Sequence, residues 1–328
     1  MISGHFIGLD VGGTKVAAAT LDDGHLSESV TEPTDVSGQA ALVSQLAATI
    51  ERRRRSDTNA IGIGVPSVIE FKTGRVRHSV NLPLEDVPLR SLLTERAGLP
   101  VYVENDASCA ALAEAYDEGE LVSPHLVMFT VGTGVGGGLV LGGRLYRGAT
   151  GAAAEVGHTI VGLDLEDGDA ADPGPFPQRG SLEALASGRA LDRLAAQAAA
   201  DHRESALGRR LNAGEPVNGK VVVDLAFEGD ELACDLLRIL GERLGIGIAN
   251  AINTFDPLEV VIGGGVSRAG HLLLDPAARA AWRHTVPGCG AKTNIRLARH
   301  GVQAGVLGAA LIAAHEHAAE RDSVPGPP

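Results

Sequence analysis

Asp106 is the carboxylate in this sequence best placed to handle a proton. Val101, Tyr102 and Val103 read as a short strand, and Glu104-Asn105-Asp106-Ala107 opens a helix that runs on through Ala110, Ala111, Leu112, Ala113 and Glu114. At such a junction the positive end of the helix dipole should keep the carboxylate ionised. An ionised Asp there either caps the helix, as Asp and Asn commonly do, or accepts a proton from a substrate hydroxyl. Glu155 and His158 form a second candidate pair. Their three-residue spacing in Glu155-Val156-Gly157-His158 puts both on one side of a helical turn, as a surface contact or as part of a site. His158 invites a zinc reading, but the nearest cysteine, Cys109, is 49 positions away, and structural zinc wants four N or S ligands.

Three glycine clusters suit anions and flat ligands. Asp10-Val11-Gly12-Gly13-Thr14-Lys15 joins two strand-like runs, and Thr130-Val131-Gly132-Thr133-Gly134 does the same 120 positions later. Each copy ends in a second turn, at Asp22-Asp23-Gly24 and at Gly142-Gly143, so the chain carries a faint repeat of strand, glycine turn and strand. Glycine turns leave backbone N–H groups available to form anion-binding nests. Lys15 adds a charge, and Thr14 and Thr133 add hydroxyl donors. One such hairpin reads as a tight turn without a ligand; two similar ones read as phosphate cradles. Gly132, Gly134 and Gly137 also satisfy GxGxxG, but a dinucleotide site requires a helix after the glycines, and Leu139-Val140-Leu141 is a strand. Gly219-Lys220 is followed by Val221 where a Walker loop has Ser or Thr. The third cluster, Gly263-Gly264-Gly265, directly follows the apolar run Val260-Val261-Ile262, at the carboxyl end of a strand where α/β sheets bind ligands. The adenosine part of a nucleotide suits that position.

Alternating and apolar runs predict strands near residues 5–10, 15–21, 60–65, 100–103, 125–131, 137–142 and 257–262, and Ala- and Leu-rich segments predict helices near 38–55, 105–118, 188–203, 230–254 and 302–320. Their order indicates an α/β protein. With 328 residues, 44% of them hydrophobic, the chain is long enough for two domains with cores of their own. The segment between Gly162 and Gly180 is acidic and Pro-rich, without periodicity, and reads as a solvated loop. His315 and His317 read as solvent-exposed. A net charge of −13 argues against nucleic acid and anionic membranes as partners, since neutralising phosphates needs an excess of Lys and Arg. There are only 6 Phe, 3 Tyr and 1 Trp beside 43 Gly, which makes aromatic stacking a poor candidate for the main mode of recognition. Three unpaired-looking cysteines, no signal-like segment and no apolar stretch of about 18 residues fit a cytoplasmic protein.

Taken together, these motifs resemble the ROK family of sugar kinases and related repressors, most closely its bacterial glucokinases, over nearly the whole chain. Asp10 to Lys15 is similar to the family's first phosphate motif and Gly132 to Gly138 to its second. Glu104-Asn105-Asp106-Ala107, Glu155 to His158, the Glu-x-x-x-Ser-Gly element at Glu183 to Gly188, and Ile262 to Gly265 follow in the family's order. The resemblance implies an actin-like, ribonuclease-H-like fold of two α/β lobes with nucleotide and sugar in the cleft. The small lobe would comprise residues 1–117 plus 306–328 and the large lobe 118–305. It implies that Asp106 is the catalytic base rather than a cap, and that Ser67, Asn105, Glu155, His158 and Glu183 lie at the sugar. It further implies that Asp10, Gly12, Gly13, Thr14, Lys15, Gly132, Thr133, Gly134 and Gly263 to Gly265 hold ATP, with Mg²⁺ near Asp10. The expected reaction is phosphorylation of a hexose, glucose at its 6-hydroxyl in the first place, with mannose, fructose or an N-acetylhexosamine as alternatives. A homodimer or homotetramer is expected. ROK repressors carry an added N-terminal helix-turn-helix domain, whereas this chain starts at the first strand, so a regulator without a DNA-binding domain is the rival reading. Two departures stand out. The family's zinc element, Cys-x-Cys-Gly-x-x-Gly-Cys-x-Glu, falls on Gly174 to Glu183 with Gly174, Phe176 and Ser181 in place of its cysteines, so no zinc is expected. The family's Gly-x-Pro-Gly sugar loop reads Gly64-Val65-Pro66-Ser67.

Overall fold

The computed structural model describes residues 2–79, 81–162 and 174–323. The segment 163–173, which carries most of the acidic loop read from the sequence, lies outside the described residues. In chain order the first elements are β1 (His5–Val11), β2 (Lys15–Asp22), β3 (His25–Leu26), β4 (Val30–Pro33), α1 (Gln39–Arg53), β5 (Thr58–Val65), β6 (Ser67–Glu70), β7 (Arg75–Ser79) and β8 (Glu85–Val87). There follow α2 (Leu89–Ala97), β9 (Val101–Asn105), α3 (Asp106–Glu114), β10 (Tyr116–Asp117), β11 (Glu120–Leu121), β12 (Leu126–Val131), β13 (Val135–Leu141) and β14 (Arg144–Leu145). The remainder is α4 (Leu182–Ala186), α5 (Gly188–Asp201), α6 (Ala206–Asn212), α7 (Gly219–Phe227), α8 (Glu231–Phe255), β15 (Glu259–Gly263), α9 (His271–His284), β16 (Asn294–Leu297) and α10 (Ala304–Ser323).

The chain divides into two compact units. The first contains Met1–His125, Gly138–Ala154 and Arg299–Pro328, and the second Leu126–Gly137 and Glu155–Ala298. This division puts 118–125, 138–154 and 299–305 with the first unit, where the sequence reading has them in the large lobe.

The faint repeat is real in three dimensions. One sheet has the order β3-β2-β1-β5-β9 and the other β14-β13-β12-β15-β16. In the first, β1 pairs antiparallel with β2 around the Gly12-Gly13-Thr14 turn and parallel with β5, which in turn pairs parallel with β9. In the second, β12 pairs parallel with β15 and β15 with β16. This duplicated arrangement is the ribonuclease-H-like fold of actin-like ATPases. The parallel strands are apolar on both faces because helices cover both sides, and Ile61, Ile63, Val260, Val261 and Ile262 are all fully buried. Helix α10 covers the first sheet at very short range. A Cβ on Gly62 would stand 1.8 Å from the carbonyl oxygen of Ala309, so only glycine lets helix and strand meet there.

The fold also holds elements that the sequence expectation lacks, among them α2, α6, α7 and β16, and three further differences bear on the packing. Residues 67–87 form a small separate sheet, β6-β7-β8. Its strands are half exposed and rich in Arg and Glu, which hides the apolar alternation. Helix α9 contains Pro276, a residue that argues against helix in sequence but here packs against Gly241 of α8. His315 is not solvent-exposed: it is half-buried in α10, with its Nε2 2.7 Å from the Tyr116 hydroxyl. Burial, helped by Arg144 and Arg147, pushes its pKa down to about 4. His317 is likewise half-buried, against the Phe6 ring.

Candidate active site

Within the first unit, β1, β5 and β9 end side by side, and their carboxyl ends carry the chemistry. Asp10 is the next-to-last residue of β1, and Asn105 closes β9. The helix starting at Asp106 is capped by Asn105, whose Oδ1 accepts from the Ser108 N–H at 3.1 Å. Asn105 does the capping, and Asp106 is the first helical residue, its Oδ1 accepting from the adjacent Ala107 N–H at 2.9 Å. The helix field expected to keep Asp106 ionised is not the largest influence on it. Burial outweighs the bonds from Ala107 and Asn105 and raises its pKa above the ordinary carboxylate value. Asp10 is raised to about 6, by burial first and by the charge of Asp106 second, with Lys15 pulling the other way. Two half-buried carboxylates with raised pKa values, that of Asp10 partly through the charge of Asp106, make a site suited to a proton and to a cation.

The other end of the Asn105 amide donates from Nδ2 to the Ser67 carbonyl at 3.3 Å, which ties Ser67 to the strand end that precedes Asp106. The Ser67 hydroxyl is itself buried and has no hydrogen-bond partner among the described residues. In the first glycine turn, Gly12 N–H donates to the Lys15 carbonyl, whereas the amides of Gly13 and Thr14 have no acceptor among the described residues.

The second unit repeats that geometry. Gly132 N–H donates to the Gly134 carbonyl, and Val135 N–H donates to the Glu183 carboxylate at 2.9 Å, while the amides of Thr133 and Gly134 have no acceptor among the described residues. The turn forms one wall of a pocket of about 450 Å³ whose lining includes Gly132, Thr133, Gly188, Lys220 and Gly265. Close approach is built in: Gly188 N–H donates to the Gly132 carbonyl at 2.7 Å, and a Cβ on Gly188 would stand 2.7 Å from that same oxygen. The structure therefore brings the second glycine turn and Gly265 of the third glycine cluster to one cavity. Glu155 and His158 flank a single 3₁₀ turn, with His158 Nε2 3.7 Å from a Glu155 carboxylate oxygen.

Several residues at these sites escaped the sequence reading. Lys220 and Asp224 line the pocket although Gly219-Lys220 is not a Walker loop; only the docking of α7 brings them there. Arg147 donates to Glu104 at 2.6 Å and to Glu316 at 2.9 Å and lies over the Phe71 ring. The pairs are 43 and 169 positions apart, beyond the reach of any local pattern.

A magnesium ion accompanying ATP suits Asp10, which would supply one half-buried hard oxygen ligand and leave the rest to phosphates and water. Zinc does not fit. Gly174, Phe176 and Ser181 offer no thiolate, and the described residues contain no group of three His, Cys, Asp or Glu side chains able to hold a metal. No helix among the described residues is long and apolar enough to cross a membrane.

Two ribonuclease-H-like repeats, each with a glycine turn whose amides, free among the described residues, suit an anion, together with a half-buried carboxylate at a strand end, define a phosphotransferase of the actin-like class. Comparison with known proteins narrows this. The chain belongs to the ROK family, whose model matches residues 6–316. It is 34% identical over 325 residues to a glucokinase of Halalkalibacterium halodurans, covering 96% of this chain and 97% of that protein. It is 35% identical over 313 residues to a glucokinase of Streptomyces coelicolor, covering 94% and 96%. Among solved structures it is similar to a ROK family glucokinase from Streptomyces griseus in complex with glucose and AMPPNP, with a TM-score of 0.75, 33% identity, and coverage of 95% and 100%.

Proposed function

We propose that this protein is an ATP-dependent glucokinase, transferring the γ-phosphoryl group of ATP to the 6-hydroxyl of D-glucose. The observation that carries the reading is Asp106: half-buried, relieved of capping by Asn105, and set beside Asp10. Relatives of nearly full length carry the same activity in their names, and one related structure holds glucose with an ATP analogue.

In this reading Asp106 accepts the proton of the sugar hydroxyl as its oxygen attacks the γ-phosphorus, and the bond to ADP breaks; the products are sugar phosphate, ADP and the proton. Phosphoryl transfer depends chiefly on positioning and charge neutralisation. Gly12, Gly13, Thr14 and Lys15, with Gly132, Thr133 and Gly134, would hold the phosphates, and Gly263 to Gly265 the adenosine side. Asn105, Glu155, His158 and Glu183 would bond sugar hydroxyls, with the Ser67 hydroxyl as a further donor. Magnesium held with Asp10 would neutralise phosphate charge. We take the enzyme to be a cytoplasmic homodimer or homotetramer with no nucleic-acid or membrane partner. A coupled assay of glucose, mannose, fructose and N-acetylhexosamines with ATP and with polyphosphate tests the reading. Glucose with ATP is expected to give the highest kcat/KM, and no ADP release with any hexose would refute it.

A further inference from the structure

The missing zinc element raises the question of what holds residues 174–183, because this segment ends in Glu183, beside the second phosphate turn. The backbone supplies part of the answer. Val161 and Gly162 N–H groups both donate to the Gly180 carbonyl, Leu182 N–H donates to the Thr159 carbonyl, and Ile160 bridges antiparallel to Ser181. Ser181, at a cysteine position of the family element, is fully buried; its N–H donates to Gln178, and its hydroxyl accepts from Ala184 N–H at 3.2 Å, capping α4. The result is a clasp that joins the extended segment leaving His158 to the helix carrying Glu183.

Phe176, at another cysteine position, has a different contact. Its ring is 73% exposed, which no core-packing role explains, and it meets the His158 imidazole edge to face with centroids 5.5 Å apart at 84°. A functional imidazole is normally oriented by a hydrogen bond at one ring nitrogen. Here His158 Nδ1 is buried without a hydrogen-bond partner among the described residues, and Nε2 stands 3.7 Å from Glu155, too far for a hydrogen bond. The Phe176 ring is thus the group in contact that can fix the imidazole plane.

We propose that the clasp is metal-free and that Phe176 is a positioning residue, setting the orientation in which His158 meets the hexose. This rests on the hexose-kinase reading above. Full-length wild-type protein, Phe176→Ala, Phe176→Tyr and Ser181→Ala test it through zinc content, Tm with and without 1,10-phenanthroline, imidazole NMR resonances, and separate KM values for hexose and ATP. The expected results are no stoichiometric zinc, a Tm unmoved by the chelator, and a Tm lowered by about 2–4 °C in Ser181→Ala through the lost cap. Phe176→Ala should shift the His158 resonances and raise the hexose KM about three- to tenfold, the scale of one aromatic pair. Its ATP KM and Tm should be unchanged, and Phe176→Tyr should restore the hexose KM. About one zinc per chain with a chelator-sensitive Tm would overturn the metal-free clasp, and so would an unmoved Tm in Ser181→Ala. Unmoved His158 resonances or an unchanged hexose KM in Phe176→Ala would overturn the positioning role. If the wild-type chain phosphorylates no hexose, the kinase reading fails on its own, while zinc content, Tm and resonances still decide the clasp and the ring contact.

Discussion

Replacing Asp10 by Asn should make the nucleotide-free protein more stable at neutral pH while removing its response to magnesium and ATP. The Asp10 carboxylate lies against Gly305 in the first turn of α10, and burial together with Asp106 lifts its pKa from 3.8 to about 6. At about 1.4 kcal/mol per pKa unit, a rise of roughly two units means that ionising Asp10 costs the folded state about 3 kcal/mol. The direction follows from linkage. The folded protein binds this proton more tightly than the unfolded chain, so the cost is absent below about pH 3.8, grows as the pH rises toward 6 and is constant above. Asn keeps the shape without the charge but still buries an amide, so the expected gain at pH 7.5 is about 1–3 kcal/mol. With about 2–4 °C per kcal/mol, that is a rise in Tm of several degrees. Thermal melts of wild type and Asp10→Asn at pH 4 and pH 7.5, each with and without magnesium and ATP, make the assay. The two proteins should melt together at pH 4 and separate at pH 7.5, and only wild type should gain stability from magnesium with ATP. A variant that melts below wild type at pH 7.5, or a gap that does not change between pH 4 and 7.5, would refute the reasoning.

Asp106→Asn should lower kcat by about 10² to 10⁴ without loss of Tm, since its buried charge costs stability rather than adding it; near wild-type kcat in the coupled assay would exclude it as the base. The same raised pKa predicts that the acidic limb of the kcat/KM profile lies above the ordinary carboxylate range, and a limb below that range would contradict it. Arg147→Met leaves Glu104, only 3% exposed, as an unpaired buried carboxylate and should cost about 3–5 kcal/mol in urea unfolding, much of it recovered in the double variant with Glu104→Gln. Gly188→Ala drives a methyl toward the Gly132 carbonyl and should raise the ATP KM on the order of tenfold, about 1.4 kcal/mol, with little change in the hexose KM; equal effects on both would argue against a nucleotide pocket there.

The sequence made some parts of this protein easy to read because their cause is local. The glycine turns are legible since turn geometry selects glycine wherever it occurs, and the 120-residue repeat of Gly12 in Gly132 became two sheets with the same strand order. The parallel strands around Ile61 and Val261 show as continuous apolar runs because both their faces are covered. Asn105 and Asp106 were legible as a junction but not as separate roles. Either residue type caps a helix, and one position of register decides which carboxyl or amide turns back to the backbone.

What only the tertiary structure decided are the quantities that depend on distant chain segments. The pKa values of Asp10 and Asp106 are raised chiefly by burial, and that of Asp10 also by the charge of Asp106, influences that the helix field alone does not contain. The partners of Arg147, the arrival of Lys220 in the glycine-lined pocket and the contact between Phe176 and His158 likewise belong to packing. The sequence by itself determined which residue types are available, where the chain turns and which faces are apolar, because these follow from side-chain chemistry and short-range sterics. Solvation and charge coupling depend on which remote atoms exclude water from a group, and that is known only once the chain has folded.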